Sequence, residues 1–299
     1  MDWRAPRSLD ARGNGSWLRG HGVDAASRIG VHGALDSFAP LALVDPAGIK
    51  RIALVTDFGP GIYRGQVRAR ISALVPHLRL IDLVDDLVPF RPDLAAYLLL
   101  ALTRDMPRGT LYLCVVDPGV GGERGALLVE SGEDCFLGPD NGLLSRVARA
   151  GPEARAFRIS WRPRELSASF HGRDWFAPAA ARRCLGESLD LVPVEPRELE
   201  GAHWPDDLPS IIYRDHYGNL MCGLRAATLP VDPKSRIKVQ AGGRALDRAR
   251  TFCEVPAGQP FWYENALGLV EIAVNRGRAD RLLGLEPGDP VQLLTEGGD

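Results

Sequence analysis

The run Arg51-Ile-Ala-Leu-Val-Thr56 has the length and apolar content of a buried strand, and it stops at Asp57-Phe-Gly-Pro-Gly61, a strong turn signal. Val67, Ile71, Leu74 and Val75 follow at helical spacing, and Pro76 ends that pattern. The alternation then continues. Residues 80–84 read as a strand, and residues 94–104 as a helix apolar nearly all round, hence buried. Residues 111–116 and 126–130 read as further strands. Another helix is predicted from near Asp174 to Leu185, with Pro178 in its first turn, where proline is tolerated. Strands alternating with helices predict an α/β fold, with a mostly parallel sheet sandwiched by helices.

The pattern changes at Leu191-Val-Pro-Val-Glu-Pro196, which reads as a linker. Beyond it, short β-like segments recur between turn residues, at 210–214, 236–240, 269–275 and 291–295. A chain of 299 residues has room for two domains. The predicted division is an α/β domain over residues 51–195 and an all-β domain over 205–299. Residues 1–50 show no sustained period and read as a flexible extension.

Net charge is −2, which points away from a general nucleic-acid binder or an anionic-membrane binder. The longest apolar run, residues 94–102, is far short of the roughly 20 residues of a membrane span. Five scattered cysteines show neither metal-ligand nor redox spacing, so reduced thiols and a cytoplasmic setting are expected.

Four turns combine glycine with a charged or hydrogen-bonding side chain. They are Thr56-Asp-Phe-Gly59, Asp117-Pro-Gly-Val-Gly-Gly-Glu-Arg124, Gly138-Pro-Asp-Asn-Gly142 and Phe170-His-Gly-Arg-Asp174. Each has a bland reading. Asp140-Asn141-Gly142 alone is a hairpin-turn signal, a lone histidine such as His171 is ordinarily a satisfied residue, and Asp174 reads as a helix N-cap. The second turn lacks the Lys-Ser/Thr of a P-loop. Asp85-Asp86 reads as a solvated edge.

The four turns, followed by Asp215-His-Tyr-Gly-Asn219 and Val270-Glu-Ile-Ala-Val-Asn275, occur in an order that resembles the S-adenosylmethionine hydroxide adenosyltransferases, relatives of the fluorinase and chlorinase enzymes. The resemblance spans about residues 51–295. It implies a C-terminal β-barrel, a homotrimer with sites between subunits, and hydrolysis of S-adenosylmethionine to adenosine and L-methionine. The substrate is itself the adenosyl donor, so no cofactor and no metal are implied.

By the same resemblance, Asp117, Arg124 and His171 form a triad that holds and activates a water, with either Asp117 or His171 taking its proton. Asp57 takes the ribose hydroxyls, Asp215 the methionine ammonium, and Asn219 the adenine. Phe90 forms a wall near the sugar, unless it packs in the core. Backbone near Val274 meets the adenine edge, and Asn265 belongs to the methionine end.

The chain departs from the family pattern at several points. Tyr217 replaces the usual Phe, and Asn265-Ala266 stands where Asn-Ser is common. Asp85-Asp86 stands where Thr-His is common, and Arg91-Pro92 interrupts its segment. The alternatives are a non-catalytic S-adenosylmethionine sensor and a halogenase. The second is disfavoured by Asp117 and His171, because a carboxylate repels a halide.

Overall fold

The computed structural model describes residues 48–229 and 236–296. Of the extension expected over residues 1–50, all but Gly48–Lys50 lies outside the described residues, and Ile49 within those three is buried at 1% exposure.

The N-terminal half contains β1 (Arg51–Thr56), α1 (Ile62–Leu74), β2 (Arg79–Val84), α2 (Pro92–Thr103), β3 (Thr110–Val115), β4 (Ala126–Ser131), β5 (Asp134–Pro139), α3 (Ser145–Ala148), β6 (Arg155–Ile159), α4 (Ala177–Cys184) and β7 (Leu191–Val194). Its strands form one sheet in the order β2-β1-β3-β5-β4-β6-β7. The first four pair in parallel, and β4, β6 and β7 follow antiparallel, so five of the seven strands run the same way.

Side-chain alternation along β3 divides the core. Tyr112, Cys114 and Val116 join Leu94, Leu98 and Leu99 of α2 on one face. Leu111, Leu113 and Val115 join Val67 and Ile71 of α1 and Ala177, Ala179, Ala180 and Ala181 of α4 on the other. The expected helical sandwich follows from that period of two. Pro92 does not interrupt α2; it begins it, at a position where the missing N–H costs nothing.

The segment read as a linker is instead strand β7. It pairs with β6 on one side only, and Pro193, opposite Phe157, needs no further donor at a sheet edge. Asp174 does not cap a helix. A π-helical turn (Gly172–Phe176) leads into α4, and the Asp174 carboxylate binds Arg173 and the Ser167 N–H. Asp86 is exposed, as a solvated edge requires, whereas Asp85 is half-buried. Asp85 is ion-paired with Arg64, and Asp86 accepts a 2.8 Å hydrogen bond from the Tyr213 hydroxyl.

The C-terminal half contains β8 (Leu208–Arg214), β9 (Leu220–Arg225), β10 (Arg236–Ala241), β11 (Arg244–Leu246), β12 (Pro260–Glu264), β13 (Leu269–Val274), the short α5 (Ala279–Leu283) and β14 (Gln292–Glu296). Two antiparallel sheets, β12-β13-β9-β8 and β11-β10-β14, are joined at both ends by single bridges, Ser210 to Pro290 and Arg248 to Trp262. The two bridges close the strands into a barrel-like ring. Ile211, Leu220, Cys222, Val239, Trp262, Val270 and Ile272 fill it.

Candidate active site

The strand order places the ends of β1 and β3 side by side, and both are followed by the turns singled out in the sequence. Hydrogen bonds fix these turns. Gly59 N–H donates to the Asp85 carbonyl at 2.6 Å, and Leu87 N–H to the Thr56 carbonyl at 3.2 Å. Asn141 Nδ2 donates to the Val116 carbonyl at 2.8 Å, and its Oδ1 accepts from Leu143 N–H. Asn141 therefore secures the end of β3 rather than making a hairpin turn. Gly121 has φ +83°, and a Cβ there would come within 2.4 Å of the Ala168 carbonyl oxygen. Only glycine lets this turn lie against the segment that carries His171.

Asp117, Arg124 and His171 meet here. The Asp117 and Arg124 side chains are 6% and 10% exposed, and His171 is 4% exposed. Arg124 Nε donates to Asp117 Oδ1 at 2.9 Å, and Nη2 donates to Asp117 Oδ2, a bidentate pair. Nη2 also lies 2.9 Å from His171 Nδ1. The guanidinium packs over Phe176 at 4.8 Å and Trp175 at 5.6 Å. A guanidinium has donors only, so Nδ1 of His171 is the acceptor and its proton is on Nε2. Burial, reinforced by the Arg124 charge, holds the imidazole below its ordinary pKa and neutral.

A cavity of about 310 Å³ opens beside this group, with Asp57, Phe90, Asp117 and His171 in its wall. Asp57 Oδ2 accepts a 3.1 Å hydrogen bond from Phe90 N–H. Burial raises the Asp57 pKa and the nearby Asp117 charge adds to it, while the Phe90 N–H acts in the opposite sense. Phe90 is 71% exposed with φ +64°, so it is a rim residue on strained backbone and not part of the core. Sequence reasoning missed the aromatic wall of Phe58, Tyr63 and Phe170, whose rings lie 5.3–6.4 Å apart. Two of the three stood inside the quoted motifs.

Asp215, Asn219 and Val274 lie elsewhere in the chain, around a second cavity that shares no lining residue with the first. Asp215 Oδ1 accepts from Asn219 N–H at 2.8 Å, and Oδ2 from Asn219 Nδ2 at 2.9 Å. This clamp fixes which way the carboxamide faces, leaving Oδ1 of Asn219 as an acceptor. The Val274 carbonyl accepts from Gly277 N–H at 3.1 Å. Glu271 also lines this cavity. Its pKa is raised by burial and by the Asp215 charge.

Asn265 lines neither cavity. It is 9% exposed, its Oδ1 accepts from Leu267 and Leu269 N–H, and its Nδ2 donates to Glu271 at 2.7 Å. Its side chain closes the β12–β13 turn. Ala266 is exposed on the same turn, and its carbonyl accepts from Arg104. Among the described residues, no group of three or more His, Cys, Asp or Glu is placed to hold a metal ion. No helix among them is long and apolar enough to cross a membrane.

Comparison with known proteins bears on this arrangement. Residues 52–193 match the SAM hydroxide adenosyltransferase N-terminal domain, and residues 209–292 match the C-terminal domain of the same family. The chain belongs to the SAM hydroxide adenosyltransferase family. This family member is 38% identical over 264 residues to the (R)-S-adenosyl-L-methionine hydrolase of Thermus thermophilus, covering 82% of this chain and all of that protein. It is 36% identical over 260 residues to the enzyme of that name from Salinispora arenicola, covering 82% and 97%. Among solved structures, an uncharacterized conserved protein from Thermotoga maritima superposes with a TM-score of 0.72 at 29% identity. The match covers 81% of this adenosyltransferase-family chain and 99% of that one.

Proposed function

We propose that the chain hydrolyses S-adenosyl-L-methionine to adenosine and L-methionine. A water oxygen attacks the ribose C5′ in line with the C5′–S bond. That bond breaks with its electron pair going to sulfur, and the sulfonium leaves as a neutral thioether that needs no proton. The observation that carries this reading is the buried Asp117–Arg124–His171 triad opening onto the cavity that holds Asp57.

The difficulty of the reaction lies in the nucleophile, which must be held in line and relieved of a proton. His171 Nδ1 is occupied by Arg124, so the imidazole acts through its Nε2 proton as a donor. Asp117 is then the proton acceptor. General-base help of this kind is worth about 10²–10⁴-fold. Asp57 takes the ribose diol in exchange for the Phe90 N–H, and Phe90 walls the sugar. Asn219, clamped by Asp215, offers its carboxamide oxygen to the adenine amino group. Asp215 faces the methionine ammonium, and backbone at Val274 meets the adenine edge.

The separation of the two cavities within one chain supports a site completed by a second copy, in a homotrimer with residues 51–195 of one subunit facing residues 205–299 of the next. The protein is a cytoplasmic enzyme with a small-molecule substrate and no cofactor. Incubation with S-adenosyl-L-methionine should release adenosine and methionine in equal amounts. Tight binding without turnover would favour a sensor instead, and halide-dependent 5′-haloadenosine a halogenase.

A further inference from the structure

A third cavity, of about 490 Å³, lies between the two halves of the chain at the opposite end of β3 from Asp117. Arg108 in its wall precedes β3, and Asp117 follows it, so six extended residues, roughly 20 Å, separate this cavity from the triad. Its floor is apolar, with Leu100, Phe136, Val147 and Leu267 from both halves of the chain. Four arginines, Arg104, Arg108, Arg146 and Arg225, stand around that floor.

These arginines are not equivalent. Arg225 is bound bidentately by Asp207, and Arg146 is paired with Asp206. Arg146 is nonetheless 4% exposed, and its Nε is buried without a hydrogen-bond partner. The carboxylates nearest Arg104 and Arg108, those of Asp105 and Asp134, lie at 3.6 Å, too long for hydrogen bonds. Asp134 already accepts from Thr110 N–H at 2.9 Å. Arg104 ends α2, and its side chain reaches the β12–β13 turn, where a Cβ on Gly268 would come within 2.4 Å of its Nη1; it donates to the Ala266 carbonyl at 3.4 Å. Two guanidinium forks with unspent donors thus stand over an apolar floor of ligand-sized volume. The Asp134 carboxylate in the same wall favours a singly charged guest over a doubly charged one.

We infer that this cavity is a second ligand site, separate from the triad, for a small organic carboxylate with an apolar body. The acid is held by Arg104 and Arg108, and the body lies between α2 and the β12–β13 turn.

The test is calorimetric titration of the full chain with sodium octanoate, 1-octanol and inorganic phosphate. The expected result is saturable one-to-one binding of octanoate, weakened about tenfold or more in the R104A/R108A double variant, with no saturable binding of octanol or phosphate. Both arginines are largely exposed, at 58% and 71% for their side chains, so the variant keeps its fold. Absence of octanoate binding, equal affinity in both proteins, or equal binding of octanol would overturn the inference.

Discussion

Arg124 Nη2 donates to His171 Nδ1 across 2.9 Å, which leaves the imidazole proton on Nε2. The same nitrogen holds Asp117, so one guanidinium sets the tautomer of the histidine and the orientation of the carboxylate. In Arg124→Met both constraints go. The His171 pKa should then rise towards its ordinary value, because the Arg124 charge is a cause of its depression second only to burial. Turnover should fall about 10²-fold or more. Titration of the His171 ring by NMR checks the first, and a His171 pKa that stays put or falls would contradict the assignment.

Asp57 couples binding to stability. Its folded pKa is raised, so its charge opposes folding at pH above that pKa and ceases to do so as pH falls through it. Asp57→Asn should therefore raise Tm at pH 7, with the gain shrinking towards pH 4, while affinity for adenosine drops. Thermal melts across that range, paired with adenosine titrations, test both halves. A variant less stable at pH 7 than the wild type would refute the electrostatic account.

The proposed sharing of the site between copies is tested by complementation. Asp117→Ala damages the N-terminal half of the site and Asn219→Ala the C-terminal half. Each variant alone should be nearly inactive. Co-refolded at equal ratio into random trimers, they should recover about a quarter of the wild-type activity, since that fraction of sites draws both halves from intact sources. Mixtures no more active than their components would place the whole site within one chain.

Asn265 should behave as a structural residue. Asn265→Ala strands two backbone N–H groups and one oxygen of Glu271, and should lower unfolding free energy by about 2–4 kcal/mol. KM should change little. A raised KM at unchanged stability would return Asn265 to the methionine end of the site.

The strand–helix alternation was legible because β1 and β3 are buried on both faces and read as continuous apolar runs. Strand β7 was not, because Pro193 and Pro196 carry a linker's signature, and only its place at the sheet edge makes Pro193 acceptable. Strand β5 ends at Pro139, inside the turn that drew attention to residues 138–142. In the candidate site, Asp117 and His171 stood out through their neighbouring glycines. Their connection through Arg124 is a tertiary contact across 47 residues that no local pattern encodes. The Asp215–Asn219 clamp shows a further limit, since sequence names the carboxamide and only geometry shows which of its atoms is already spent.

The origin of the oxygen in the product tests the central claim most directly. Turnover of S-adenosyl-L-methionine in H₂¹⁸O should place one ¹⁸O in the 5′-hydroxyl of adenosine and none in methionine, and Asp117→Ala should slow that incorporation about 10²-fold or more. Adenosine formed without ¹⁸O, or incorporation at an undiminished rate in the variant, would contradict water attack assisted by Asp117.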